Sequence, residues 1–539
     1  MNSPSHRVKT RRPSGPIRMP SLVNDPDGLA PYLGDAAHTP GGNAPFVALP
    51  RNEGELVAVL REAPRILVVG AQSSLTGGAT PMGEWVIATG RMNRLRFCGS
   101  SRVRVEAGVP LLSLQKELAA KGLFYPPATT FTGAFLGGTV ATNAAGAATF
   151  KYGSTREWVR ALRVILANGE VLEIHRGECR AHPEGFFEID SRDTGPVRLV
   201  LPTYRMPATR KRSAGYHCEP GMDLIDLFIG SEGTLGIITE VELEVLPVGF
   251  QLLTGFLECP EESTALEVAT FLRRESLKTR DSGDPAGLEV RSIEWLDARS
   301  LDLLRSSGED RKSGLRLAAD CQAALIFELE MPLETDTGAA REAIAGATDP
   351  SGPDSPLRRL CRFLERFDLL DHLQVARPGE EAKAEKIRGL REAVPVEVNH
   401  RIGEARDRCG GGVRKIAADM IVPFSSVAEI LDVYREGFIR RGLEYAIWGH
   451  ISDGNLHANA IPRSPEDVKL GQEAILEFGK RVIDMGGCPL SEHGVGRDPT
   501  KQQLLKELYG ETGIREMRAI KETLDPDYRL APGVLFEPG

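Results

Sequence analysis

Between residues 70 and 239 the chain carries three clusters of glycine and other small residues, and few folds have a use for all three. The first, Gly70-Ala71-Gln72-Ser73-Ser74-Leu75-Thr76-Gly77-Gly78, follows the β-branched run Arg65 to Val69, so a buried strand is expected to feed a loop. Glycine lets a backbone approach a ligand closely, successive N–H groups can form an anion-binding nest, and Ser73, Ser74 and Thr76 add hydroxyl donors. The loop is neither a Gly-x-Gly-x-x-Gly fingerprint nor a Walker loop with its lysine, and a plain connecting loop is the other reading of this stretch alone. The second cluster, Gly133 to Gly146, holds Gly137, Gly138, Thr142 and Asn143. It has too little side chain to fill a core, which suggests backbone lying against something flat and large. The third, Gly230 to Thr239, includes Glu232, Gly236 and Ile238 and leads into an alternating strand from Val241 to Leu246.

Around these clusters the local signals are ordinary. Residues 54 to 62 have helical spacing, and Leu111, Leu114 and Leu118 mark one face of a helix that stops at Lys121-Gly122. Val159 to Leu166 and Val171 to Ile174 read as strands joined by the turn Ala167-Asn168-Gly169. At 539 residues the chain exceeds one ordinary core, so two or three domains are expected. A net charge of −9 with 26% charged residues of mixed sign argues against a nucleic-acid footprint, and no apolar run reaches membrane-span length, so any membrane association would be peripheral. The eight cysteines contain no Cys-x-x-Cys pair, which disfavours an iron–sulfur cluster, zinc ribbon or disulfide framework and fits reduced thiols in a cytoplasm. Residues 1–20 are basic and rich in Pro and Ser without an apolar core, and are expected to be a disordered tail. A loop is expected at Thr348 to Pro356.

Chemistry enters at His450-Ile451-Ser452-Asp453-Gly454-Asn455-Leu456-His457. If Asp453-Gly454 is a two-residue hairpin turn, Ser452 pairs with Asn455, Ile451 with Leu456 and His450 with His457. His450, Ser452, Asn455 and His457 then share one face, and opposed Cβ atoms about 4.5–5.5 Å apart let two imidazoles hold one divalent metal with the Asn455 amide beside it. Ser491-Glu492-His493-Gly494 would supply a carboxylate as third ligand and an imidazole as general base. Taken singly, a histidine pair near a hairpin is more often a packing or surface feature, and a Glu-His dipeptide says almost nothing.

The loop at 70–78, the stretch Gly137-Gly138 to Asn143 with Tyr152-Gly153 after it, Gly230 to Thr239, the His450 hairpin and Glu492-His493-Gly494 form an ordered set. In that order and spacing the chain resembles the FAD-linked oxidases of the vanillyl-alcohol oxidase superfamily, and within them the D-lactate, D-2-hydroxyglutarate and glycolate dehydrogenase group. The likeness covers roughly residues 40 to 538. It implies an α+β architecture: a PCMH-type FAD-binding domain of two subdomains over 42–248, an inserted α+β cap domain on a mostly antiparallel sheet over 249–489, and a segment 490–539 returning to the FAD domain.

The resemblance also implies roles. Gly70, Ala71 and Gln72 to Gly77 would hold the FAD pyrophosphate, Gly137, Gly138, Thr142 and Asn143 would lie along the cofactor, and Glu232, Gly236 and Ile238 would bind further along it. Some relatives join a histidine at the position of Gln72 covalently to the flavin; glutamine cannot, so FAD is expected to be noncovalent. His450, His457 and Glu492 would ligate a zinc or manganese ion, with Asn455 beside it, and His493 would take the hydroxyl proton of a D-2-hydroxy acid as it becomes the 2-oxo acid. Arg391, on a helical run that Pro395 is expected to end, would meet the substrate carboxylate, with Lys415 as a weaker second cation.

The sequence departs from the group at two places. Pro395 stands where some relatives have a substrate-contacting threonine, and Ala531-Pro532-Gly533-Val534 where relatives often have Asn-Pro-Gly-Lys. With no cysteine-rich extension, electrons would leave to a quinone, a cytochrome, an electron-transfer flavoprotein or an iron–sulfur subunit, and a homodimer is among the assemblies open to the chain. Two other readings are an adduct-forming flavoenzyme of the same fold, such as an ether-lipid synthase, whose histidine-rich tract is not apparent here, and a non-catalytic flavin-binding subunit.

Overall fold

The computed structural model describes residues 5–127, 129–315, 317–346, 354–410 and 412–537. The chain divides into two units, Met1–Gly146 with Gly153–Pro247 and Cys488–Gly539, and Ala147–Tyr152 with Val248–Gly487.

In the first unit the run Arg65 to Val69 becomes the strand Ile66–Val69, at the edge of a four-stranded sheet ordered Ser21–Val23, Val47–Leu49, Trp85–Ala88, Ile66–Val69, with the last three parallel. The helix Glu53–Glu62 is capped by Asn52, whose side chain accepts from the Glu55 amide. Its Leu56, Val57, Val59 and Leu60 join Ala48, Ile66 and Ile87 in one core. A second, antiparallel sheet runs Val171–His175, Val159–Ile165, Ile237–Glu244, Arg102–Glu106, Leu95–Phe97. Leu111, Leu114 and Leu118 are the buried face of the helix Leu111–Ala119.

The expected disordered tail is corrected over its described part; residues 1–4 lie outside the described residues. Arg7–Lys9 pairs in parallel with Phe186–Ser191 in a third sheet. The basic residues that read as solvated charge have carboxylates waiting: Arg7 meets Glu188, Arg11 lies 3.1 Å from Glu53, and the Ser14 amide and hydroxyl both donate to Glu53 at 2.8 Å. Those partners stand far away in sequence, so composition alone does not reveal them.

The second unit is built on one antiparallel sheet ordered Leu373–Ala376, Gln251–Cys259, Ala323–Met331, Val290–Asp297, Tyr445–His450, Asn455–Ala460, Ile416–Ala417. The helix Glu381–Cys409 packs Ile387, Leu390, Val394, Val398, Ile402 and Ala405 with Leu296, Ile326 and Trp448. It continues past Pro395 to Cys409, which corrects the expected helix end. A proline inside a helix costs about 3 kcal/mol because it has no N–H for the carbonyl four residues earlier. Each fully buried large aliphatic side chain returns about 1.5–3 kcal/mol, so the stripe on both sides of the proline outweighs the break. Of the loop expected at Thr348 to Pro356, residues 348–353 lie outside the described residues, and a helix capped by Ser355 starts at Pro356. Among the described residues none of the eight cysteines forms a disulfide, and no described helix is long and apolar enough to cross a membrane.

Candidate functional site

The three small-residue clusters of the first unit converge on one cavity of about 290 Å³. Gly70, Ala71, Gln72, Ser73, Ser74, Leu75 and Thr76 line it from the first cluster, Gly137, Gly138 and Thr142 from the second, and Glu232, Gly236 and Ile238 from the third. Glu492 and His493 line it as well. Two expected cofactor residues do not. Gly77 has φ +73° and packs on Thr39, whose Oγ1 lies 2.7 Å from where a Cβ would sit. Asn143 instead braces the chain, its Oδ1 accepting from the Ser154 hydroxyl and the Arg156 amide at 3.0 Å each.

Two lining residues, Gln72 at φ +52° and Glu232 at φ +53°, hold left-handed backbone without being glycine. Such conformations cost about 1–3 kcal/mol each and persist only where neighbours over-determine them. The Gln72 side-chain amide donates to the Gly34 carbonyl at 2.6 Å, while the Gln72 carbonyl accepts from the Ala36 amide at 3.1 Å. The Glu232 amide donates to the Ala141 carbonyl at 2.8 Å, and its carboxylate accepts from the amides of Val495 at 2.7 Å and Gly496 at 2.8 Å. Burial pushes the Glu232 carboxyl up to about 7 despite those two hydrogen bonds. Gly496, at φ +58°, has no room for a side chain: a Cβ would fall 2.1 Å from Thr76 Oγ1. The third cluster is thus tied to the second, and the first is packed on the segment that follows Glu492-His493.

The lining suits FAD. A Cβ built on Gly138 meets nothing within 4 Å, so the glycine leaves open space at the cavity wall where a flat group can lie against the backbone. Ser74 Oγ and Thr76 Oγ1 stand 3.2 Å apart beside the amides of the first loop, a neutral donor set of the kind that cradles phosphate oxygens.

Glu492 and His493 sit on a segment anchored from several sides. The Ser213 amide donates to the Leu490 carbonyl at 3.0 Å, the Ser213 hydroxyl to the Glu492 carbonyl at 3.3 Å, and Lys501 Nζ to the Gly494 carbonyl at 3.3 Å. The Glu492 side chain forms an ion pair of 2.7 Å with Lys211, which is completely buried.

In the second unit the hairpin forms with a longer loop than expected. His450 pairs with Asn455 and Trp448 with His457, so the two-residue turn and the directly opposed histidines are corrected. Ile451–Asp453 makes one 3₁₀ turn and Gly454 follows at φ +84°. A Cβ on Gly454 would meet the Val422 carbonyl at 2.2 Å, and that carbonyl's own amide donates to the Gly454 carbonyl at 3.1 Å, so a neighbouring segment dictates the loop. The shift is two residues, which preserves the face. His450 and His457 become diagonal neighbours with ring centroids 5.4 Å apart and planes at 87°. Asn455 shares their face, and its amide donates to the Met420 carbonyl at 2.9 Å.

Both imidazoles have a carboxylate behind them. His450 Nδ1 lies 2.5 Å from Glu294 Oε1, and His457 Nδ1 lies 3.8 Å from Asp419 Oδ1. The His450 ring, held through Nδ1, presents Nε2 as its ligand atom, whereas the 3.8 Å between His457 Nδ1 and Asp419 is longer than a hydrogen bond; two imidazoles on one face suit a borderline divalent metal such as zinc. Glu294 also accepts from Arg391 Nε at 3.0 Å, and Arg391 is buried, not a solvated helix residue. Burial raises the Glu294 carboxyl, but the charges of His450 and Arg391 and their hydrogen bonds outweigh it and hold it down at about 2. Lys415 is half-buried, directly before the strand Ile416–Ala417.

Sequence reasoning missed Glu294, Lys211 and Asp419. Glu294 did leave a signal, a single acid inside the apolar strand Ser292-Ile293-Glu294-Trp295-Leu296. Lys211, within Arg210-Lys211-Arg212, is indistinguishable in sequence from an exposed basic run.

Residues 44–175 match an FAD binding domain family and residues 284–535 the C-terminal domain of FAD linked oxidases. A D-lactate dehydrogenase of Anaerostipes hadrus is 27% identical over 86% of this chain and 82% of its own length. A mitochondrial D-2-hydroxyglutarate dehydrogenase of Bos taurus is 28% identical over 95% of this chain and 80% of its own. Among solved structures, an alkyldihydroxyacetonephosphate synthase superposes with a TM-score of 0.58 at 14% identity, covering 97% of this chain and 88% of the other, a likeness of fold.

Proposed function

The chain belongs to the FAD-linked oxidase family, and from that premise we propose that it oxidises a D-2-hydroxy acid of the D-lactate, D-2-hydroxyglutarate or glycolate class to the 2-oxo acid, with a divalent metal assisting. The observation that carries the reading is that His493 lines the same cavity as the three small-residue clusters. A general base must share the cofactor's chamber to act on a substrate laid against it.

In this reading residues 42–248 with 490–539 hold FAD, and 249–489 carry the substrate face. When bound, the flavin supplies the two-electron acceptor. Gly70 to Thr76 cradle the pyrophosphate, and Gly137, Gly138, Thr142, Glu232, Gly236 and Ile238 flank the rest. His493 takes the proton from the substrate hydroxyl. Arg391 binds the substrate carboxylate through its guanidinium, with Lys415 as a second cation. As the family resemblance implies, His450, His457 and Glu492 would hold zinc or manganese, whose positive charge favours the ionised hydroxyl. Electrons then pass to an external acceptor such as a quinone, a cytochrome, an electron-transfer flavoprotein or an iron–sulfur subunit.

The test is anaerobic bleaching of the flavin band, at about 450 nm, with D-lactate, D-2-hydroxyglutarate, D-malate and glycolate offered in turn to metal-loaded protein. Bleaching by one acid, suppressed by a chelator, is the expected result. A yellow protein bleached by none of them overturns the reading.

A further inference from the structure

Glu294 sits between two residues to which the reading above gives separate tasks. Its Oε1 lies 2.5 Å from His450 Nδ1 and its Oε2 accepts from Arg391 Nε at 3.0 Å, so one carboxylate spans a metal-ligand candidate and the substrate-carboxylate anchor. The strand Val290–Asp297 places it there: Glu294 is the direct cross-strand partner of His450 in the sheet, while Arg391 arrives from the helix Glu381–Cys409. All three side chains are buried, so water does not compete for these bonds.

We propose that Glu294 is a positioning residue that sets both halves of substrate capture, orienting the His450 ring for metal and the Arg391 guanidinium for the substrate carboxylate. The inference rests on the functional reading given above. Three physical arguments support it. First, an acid in the middle of an apolar strand is costly to keep unless something requires it, and a leucine there would pack as well. Second, occupying Nδ1 fixes which nitrogen of His450 remains for a ligand, the role that carboxylates behind metal-bound histidines play generally. Third, Glu294 takes only the Nε donor of Arg391. Among the described residues the two Nη nitrogens make no hydrogen bond, which leaves that edge for a second, planar carboxylate. One oxygen for each partner means that loss of the carboxylate releases the metal ligand and the anchor together.

The experiment compares wild type with E294Q and E294A on the full chain loaded with FAD. Zn²⁺ affinity is measured by competition with a chromophoric chelator, KM and kcat with D-lactate and D-2-hydroxyglutarate, and the imidazole N–H signals by NMR of ¹⁵N-histidine-labelled protein. FAD content reports on folding, and E294Q keeps the shape should E294A fold poorly. Expected are wild-type FAD content, Zn²⁺ binding about 10- to 100-fold weaker, and KM raised about tenfold or more, with a smaller change in kcat. The hydrogen-bonded Nδ1 proton of His450, assigned by its absence in His450→Gln, should vanish in E294A. The effect on KM should also disappear in an Arg391→Ala background, which a merely structural defect would not do. Wild-type Zn²⁺ affinity in both variants, or a KM defect undiminished in Arg391→Ala, overturns the proposal. A wild type bleached by none of the acids strikes the functional reading instead, and the Zn²⁺ affinity and the histidine signal still decide the role of Glu294.

Discussion

Lys211 sets its ammonium 2.7 Å from the Glu492 carboxylate, with no part of the lysine exposed. Removing one partner of such a pair strands a buried charge. Lys211→Met should therefore cost about 3–5 kcal/mol in equilibrium urea unfolding, whereas the double variant Lys211→Met/Glu492→Leu should recover most of that loss. Equal losses in the single and double variants would show that the two charges do not depend on each other.

Neighbouring glycines of the second cluster should respond in opposite ways. A Cβ on Gly137 would sit 2.6 Å from Ala107 Cβ, while one on Gly138 meets nothing within 4 Å. Gly137→Ala should lower stability by about 1–3 kcal/mol through overpacking. Gly138→Leu should fold, yet bind FAD at least about tenfold more weakly because its side chain occupies cofactor space. Flavin fluorescence titration and thermal melting of the apoprotein separate the two effects.

Asp297 gives a pH prediction away from the proposed chemistry. It caps the helix Ala298–Ser307 by accepting from the Ser300 amide at 2.7 Å, and burial pushes its carboxyl up to about 6 despite the capping bonds. A carboxyl raised above its unfolded value near 3.8 favours the folded state fully below that value and loses the contribution as pH rises through about 6. Asn is an equally good cap and carries no charge. Asp297→Asn should match wild type near pH 4 and be more stable at pH 8 by an amount on the order of 2–3 kcal/mol, read as the difference between two pH–stability curves. Parallel curves would mean that Asp297 is not the titrating group.

For the proposed reaction, His493→Ala should keep FAD and metal while slowing flavin bleaching by about 10²- to 10⁴-fold, the usual share of a general base. His450→Ala and Glu492→Ala should keep FAD but lose metal by elemental analysis. Unchanged bleaching in His493→Ala would remove it from the role of base.

How far the sequence speaks for the structure depends on whether the deciding contacts are local. The strand before Gly70, the Leu111–Leu114–Leu118 face and the turn at Gly169 are written in neighbouring residues, and they form as read. Where the deciding partner is distant, local rules fail. Asp453-Gly454 should by itself give a two-residue turn, but the Val422 backbone reshapes it. Pro395 should end a helix, but a buried stripe on both sides holds it. Arg7 and Arg11 look solvated until Glu188 and Glu53 come into view. At the site, small-residue clusters can be read because a glycine requirement shows in the sequence itself. Lys211 and Glu294 act as partners to residues hundreds or scores of positions away, and partnership leaves little trace in one chain.

The cavity of the first unit has an order of assembly imposed on it. Its wall is finished by Glu492 and His493, and Gly496 must seat against Thr76, so nothing made before residue 488 can close it. Between Pro247 and Cys488 a ribosome has the whole intervening stretch to synthesise, roughly ten to fifty seconds at typical elongation rates. For that interval the nascent first unit waits with its glycine-rich loops uncovered, long enough for a chaperone, or the cofactor itself, to reach them before the chain does.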